Sequence, residues 1–160
     1  MPSLVLPPDL RARLIDIARA ALPNEACGLL GGQQTSGVRN GGSSTGAVAG
    51  VVSVASVHPV RNDAASPTRF ALDGQGMLDA ERRIDDAGQV VLGVFHSHPS
   101  SAAVPSVRDL ADAAVFDPAG VWVHVIVSMQ GFAPNVAAYM YGDGGATELP
   151  ITATRDLASN

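Results

Sequence analysis

The stretch VVLGVFHSH, residues 90–98, followed by Pro99, constrains the fold more than any other part of the chain. It is a run of β-formers closed by a residue that cannot continue a hydrogen-bonded ladder, so it predicts a strand ending at Pro99. Side chains alternate along a strand, which puts His96 and His98 on one face. Two imidazoles so placed can take neighbouring vertices of a metal polyhedron. The ten residues 99–108 then lead back to Asp109. Two histidines and a carboxylate make the protein ligand count of an open catalytic zinc site, whereas a structural site is closed by a fourth. The open position would hold water, whose pKa zinc lowers towards about 7.

Blander readings stand beside this one. A His-Ser-His at a strand end can be a polar rim. Ser106 and Asp109 have the spacing of a helix capping box, in which hydroxyl and carboxylate satisfy orphan backbone amides. The two roles of Asp109 are compatible. Hydrolysis also needs a proton acceptor, and the chain has only Glu25, Glu81 and Glu148. Glu81 sits mid-helix beside Arg82, and Glu148 follows a glycine-rich turn; both read as surface. Glu25 directly precedes the apolar run CGLL, where a carboxylate with a raised pKa could shuttle protons.

Composition narrows the chemistry to these residue types. All ten basic residues among the 160 are arginine, so a Schiff-base or phosphate-loop lysine is excluded. One cysteine excludes an internal disulfide and a four-thiolate zinc site, and fits a reducing cytoplasm. A net charge of −5 argues against a nucleic-acid grip. No apolar run approaches the roughly 20 residues of a membrane span, and the N-terminus lacks a signal-peptide pattern. With 46% hydrophobic and 16% charged residues the chain reads as one globular domain over 1–160.

Periodicity supplies the frame. Leu10, Leu14, Ile17, Ala18 and Ala21 form a helical stripe behind Pro7-Pro8, ended by Pro23. Strands are predicted over 27–30, 48–57, 90–98, 121–129, 135–141 and 146–151. Asp73 caps a helix reaching Asp86, with Met77, Leu78 and Ile84 inward and Gly88 as its stop, and Ser106 begins another to about Ala114. Residues 31–47 read as a flexible Gly/Ser/Thr loop, 58–72 as irregular, and the tail from 153 as frayed. The mixture is α+β: a central mixed sheet flanked by about three helices.

Glu25-Ala26-Cys27-Gly28-Leu29-Leu30-Gly31, the distant His-Ser-His-Pro, Pro105-Ser106 with Asp109, and the segment Asn62-Asp63-Ala64-Ala65-Ser66-Pro67 together resemble the JAMM/MPN+ metalloprotease family, and small stand-alone bacterial members in particular. The likeness spans roughly residues 8–141. It implies the MPN, cytidine-deaminase-like fold. It further implies one zinc ion on His96, His98 and Asp109, Glu25 as general base, and Ser106 as a stabiliser of the oxyanion. Family members cleave peptide or isopeptide bonds after the C-terminal glycine of ubiquitin or ubiquitin-like proteins. Bacterial ones are associated with sulfur carriers and remove a C-terminal residue such as cysteine. The substrate tail lies extended, with residues 58–72 as a candidate wall. The loop 31–47 is longer than that family leads one to expect.

Other residues have their own expectations. His58 is a rim histidine or a substrate contact, and His124, within VWVHVIV, is a hydrogen-bonded core histidine rather than a fourth ligand. Cys27 is a small buried hydrophobe, since thiolate catalysis needs a paired histidine, and Trp122 is core. Asn62 is a substrate-backbone contact or a turn-former, and Arg69 a partner for a substrate carboxylate. The competing functions are an inactive MPN-type protein-binding module and a RadC-like DNA-repair domain; monomer and homodimer are both open.

Overall fold

Valine-rich strands and Gly-Gly pairs set the architecture. In the computed structural model, residues 2–36, 50–143 and 145–154 are described. In chain order the elements are β1 (Ser3–Val5), α1 (Pro8–Ala21), β2 (Cys27–Ser36), β3 (Gly50–Val60), α2 (Gly74–Asp86), β4 (Val90–His98), α3 (Val107–Phe116), β5 (Val123–Ser128), β6 (Asn135–Gly142), β7 (Gly145–Leu149) and β8 (Ile151–Thr152). The strands form one mixed sheet in the order β7-β6-β5-β4-β2-β3-β1-β8, so the expected α+β class, a sheet with three helices, is observed. The histidine-bearing β4 is central, antiparallel to β2 and parallel to β5.

A bulge in β4 decides which side chains face the site. The pairing with β2 shifts between Leu30 and Gly31, opposite Gly93 and Val91. Gly93 has φ +156°, and a Cβ there would collide with the Val123 carbonyl of β5. The shift places Leu92 and Phe95 together in the core under α1, with Leu14, Ala18, Val123, Val125 and Val127. Val94 packs with Leu29, Ala80 and Ile84 beneath α2. His96 and His98 share the face of Val94. Next to it Ile126, Ala113, Ala137, Tyr139 and Tyr141 pack around α3.

Several expectations are corrected. β1 is unforeseen: three residues between prolines carry no period, yet they pair parallel with both β3 and β8. β2 runs through Gly31 and Gly32 to Ser36, so 31–36 is strand and not loop. Neighbours crowd both glycines: a Cβ on Gly32 would meet the Ser53 carbonyl. The rest of the expected loop, 37–47, lies outside the described residues, as do 155–160 of the expected frayed tail. β3 continues through His58 and Pro59 to Val60, so the irregular segment is 61–73. Leu78, expected inward on α2, is 48% exposed, and Ala80 fills that row with Ile84. The strand expected over 146–151 is divided at Pro150 into β7 and β8. Asp73 caps α2 by accepting from the Gly76 amide, and Gly88, at φ +71°, follows its end.

Candidate metal centre and proton-transfer site

β4 delivers His96 and His98 to the end of the central sheet, and the first turn of α3 delivers Asp109. Ser106 and Asp109 form a complete capping box: the Asp109 amide donates to Ser106 Oγ at 3.0 Å, and the Ser106 amide to Asp109 Oδ2 at 2.9 Å. The same Oδ2 lies 3.2 Å from His96 Nε2 and 3.1 Å from His98 Nε2, and the two ring nitrogens are 3.2 Å apart. Capping and cluster formation are thus one geometry. The cap holds the carboxylate against the histidines.

His98 shows which nitrogen is free to bind. Its Nδ1 is 2.7 Å from the Ala102 carbonyl, which can only accept, so Nδ1 carries the proton. Nε2 faces Asp109 Oδ2 at 3.1 Å, and loss of the proton it shares there leaves its lone pair aimed at the cluster. His96 differs: its Nδ1 is buried without a partner, and the Phe70 ring stacks on it at 4.5 Å and 19°.

Glu25 approaches from the turn before β2. Two bonds fix its neighbour: the Ala26 amide donates to Ser97 Oγ at 2.7 Å, and the Ser97 amide to the Ala26 carbonyl at 3.0 Å. The Glu25 amide donates to the Ser66 carbonyl at 2.9 Å, and its own carbonyl accepts from Asn62 Nδ2 at 3.1 Å. Its side chain is 3% exposed, and Oε1 has no hydrogen-bond partner. A carboxylate oxygen of Glu25 and one ring nitrogen of each histidine lie within 4.8 Å of one another. The histidines therefore have two carboxyl groups nearby, Asp109 at 3.1–3.2 Å and Glu25 within 4.8 Å.

The electrostatics separate the two carboxyls. Burial pushes the Glu25 carboxyl up to about 8; attraction to His98 opposes the rise and repulsion from Asp109 adds to it. Asp109 is also buried, which would raise it, but hydrogen bonds to both histidines and the Ser106 amide hold it well below the usual carboxylate range. Burial lowers His96 despite Asp109. For His98 burial also acts downwards, but the bonds to Asp109 and the Ala102 carbonyl and the charge of Glu25 outweigh it, and the net shift is upwards. A carboxylate held ionised and a carboxyl poised near neutrality are the division that proton-transfer sites need.

The donor set fits a divalent cation. Three donors 3.1–3.2 Å apart come close to one face of a tetrahedron around an ion with bonds of about 2.0 Å, whose edges are about 3.3 Å. Asp109, held ionised, supplies negative charge beside the two imidazoles.

The remaining expected residues fall as follows. Ser106 is exposed at the cluster's rim, with Oγ accepting from Asp109. Asn62 is a turn organiser: Nδ2 donates to the Glu25 and Arg69 carbonyls, and Oδ1 accepts from the Ala64 and Ala71 amides. That leaves its side chain no spare donor for a substrate backbone. Arg69 lies at the rim of an apolar cavity of about 440 Å³, with Phe70, Leu72, Met77, Phe116 and Trp122. His58 sits within β3, bonded to Ser56 Oγ at 2.8 Å. His124 is the hydrogen-bonded core histidine expected, its Nε2 2.9 Å from Asp117 Oδ2. Trp122 is half-buried against the core beneath α2. Cys27 is buried and its thiol pushed up to about 12, chiefly by burial, which makes it a poor nucleophile. Phe70, Ser97, Asp117 and the Ala102 carbonyl were not anticipated. Only Ser97 carried a signal, as the middle residue of His-Ser-His; the others act through contacts that no local spacing encodes.

A mixed sheet with two buried histidines and two unlike carboxyls at the end of its central strand defines the class: an α+β domain with a candidate metal and proton-transfer centre. The chain belongs to the family described as prokaryotic homologs of the JAB domain, matched over residues 7–140. It is 30% identical over 149 residues to the CysO-cysteine peptidase of Mycobacterium tuberculosis, covering 92% of this chain and 89% of that protein. It is 32% identical over 111 residues to a desampylase of Haloferax volcanii, covering 66% and 69%. Among solved structures, protein DSY2949 of Desulfitobacterium hafniense superposes with a TM-score of 0.77 at 31% identity, covering 99% of this chain and 96% of that one.

Proposed function

We propose that this chain is a zinc-dependent peptidase that hydrolyses the peptide or isopeptide bond after the C-terminal glycine of a ubiquitin-like or sulfur-carrier protein. The observation that carries the reading is the convergence of His96 Nε2, His98 Nε2 and Asp109 Oδ2 within 3.2 Å beside the buried, unpartnered carboxyl of Glu25. Similarity to a CysO-cysteine peptidase and a desampylase supports the substrate class. His96, His98 and Asp109 hold the ion, which when bound lowers the pKa of water and polarises a carbonyl.

The protein's own residues do the rest. Glu25 takes a proton from the attacking water at its carboxylate oxygen and returns it to the leaving amine nitrogen as the C–N bond breaks; the second water proton then passes from the new carboxylic acid to the amine, leaving a carboxylate and an ammonium. Ser106 accepts the Asp109 amide, which leaves its own O–H free to donate to the developing oxyanion. Arg69, at the mouth of the apolar cavity beside Phe70, meets a substrate carboxylate, and the segment 61–73 walls the extended tail. The chain works as one domain in a reducing cytoplasm; among the described residues no helix is long and apolar enough to cross a membrane.

The test is mass spectrometry of sulfur-carrier proteins bearing C-terminal extensions, incubated with zinc-loaded protein. Cleavage after the Gly-Gly end is expected. Intact substrates with a protein that holds one zinc per chain would refute the substrate class, and a protein that takes up no zinc would refute the reading.

A further inference from the structure

The two histidines of the cluster are oriented by different means. His98 donates its Nδ1–H to the Ala102 carbonyl at 2.7 Å, the usual way in which a ligating imidazole is fixed. His96 has no such acceptor. Its Nδ1 is buried and unpartnered, so hydrogen bonding leaves rotation of its ring unconstrained on that side.

Phe70 supplies the constraint instead. Its ring lies nearly parallel to the imidazole, centroids 4.5 Å apart at 19°, an arrangement that disfavours tilting of either ring. Phe70 is itself only 8% exposed and is braced edge-on by Phe116 at 6.4 Å and 67°. The peptides on both sides of Phe70 are clamped by a single side chain: Asn62 Nδ2 donates to the Arg69 carbonyl at 3.0 Å, and Asn62 Oδ1 accepts from the Ala71 amide at 2.9 Å. The same Nδ2 holds the Glu25 carbonyl at 3.1 Å. One amide thus ties the ring over His96 to the main chain of the proposed base.

We infer that Phe70 is a positioning residue for the metal centre, holding the His96 imidazole in its ligating orientation by stacking, with Asn62 as the clamp that sets Phe70 and Glu25 together. The inference rests on the reading of His96 as a metal ligand. It asks of Phe70 an aromatic face, not mere bulk, and this separates positioning from core filling.

The experiment titrates metal-free protein with zinc in competition with a chromophoric chelator, for wild type, Phe70→Leu, Phe70→Met and Phe70→Tyr. Thermal melting of each metal-free form and the visible spectrum of each cobalt(II) form are recorded alongside. Loss of an orienting partner weakens metal binding about 10- to 100-fold, so Phe70→Leu and Phe70→Met are expected to bind zinc that much more weakly and to shift the cobalt bands. Phe70→Tyr, which keeps the face, is expected to bind zinc as the wild type does. Should the leucine variant fail to fold, the methionine variant, closer to phenylalanine in volume, carries the comparison. Wild-type affinity and an unchanged cobalt spectrum in a folded non-aromatic variant would overturn the inference, as would a tyrosine variant that binds as weakly as leucine. Zinc-binding wild type with equally binding variants overturns only this inference; a wild type that takes up no zinc overturns it together with the proposed function.

Discussion

Replacing Glu25 by glutamine should make the metal-free protein more stable as the pH rises. The carboxyl is 3% exposed with Oε1 unpartnered, and burial lifts it from an ordinary 4.5 to about 8. The folded state therefore binds this proton more tightly than the unfolded chain. The stability it contributes is full below pH 4.5 and is lost progressively as the pH rises through about 8. At ~1.4 kcal/mol per pH unit the ceiling is roughly 5 kcal/mol. Water in the cleft of about 460 Å³ that Glu25 lines reduces the expected loss to ~2–3 kcal/mol. In a chain of this length that corresponds to about 4–12 °C in melting temperature. Glutamine adds a constant penalty for an unpaired buried amide, so the readout is the pH-dependent part. Metal-free wild type and Glu25→Gln are melted between pH 5 and pH 9 by calorimetry. The difference in melting temperature should move in favour of Glu25→Gln by about 4–12 °C across that range. Parallel curves would refute the claim that Glu25 ionises against its burial. With zinc bound, the same variant should keep its metal and lose hydrolysis; turnover by metal-loaded Glu25→Gln would remove Glu25 from the role of base.

Four further outcomes follow from the same geometry. Asp109→Asn should abolish tight zinc binding, read by equilibrium dialysis, and also weaken the cap of α3. Ser106→Ala, read by chemical denaturation and by kcat, should destabilise by about 0.5–2 kcal/mol through loss of the cap and lower kcat by about 10²-fold or more if its hydroxyl serves the oxyanion; an unchanged kcat would leave it a cap alone. Asn62→Ala removes a side chain that holds four backbone groups and should cost about 2–4 kcal/mol, measured by urea denaturation. Stripping zinc with a chelator should stop hydrolysis and lower the melting temperature, both recovering on re-addition.

The apolar helical and strand periods, the capping positions and the histidine pair were legible in the chain because each is a local rule. The α1 stripe, the Asp73 cap and the Ser106–Asp109 box appear as expected. β1 was not legible, since three residues carry no period and its partners are β3 and β8, far away in sequence. Gly31 and Gly32 suggested a loop because glycine is a poor strand former; crowding by β3 and α2 makes it the residue that fits there. The β4 bulge at Gly93, which sorts Leu92 and Phe95 away from Val94, is set by contact with Val123.

By itself the sequence determined the chemistry available: no lysine, one cysteine, and a histidine pair two residues apart on a strand closed by proline. Residue types and short spacings limit which atoms can act, whatever the fold. Tertiary structure alone decided which of those atoms meet and at what protonation. It pressed Asp109 against both histidines through its cap, raised the Glu25 carboxyl by burying it, and paired His124 with Asp117. It also brought Phe70 onto His96. Burial and long-range contact set pKa values and ring orientations, and neither is a property of neighbours along the chain.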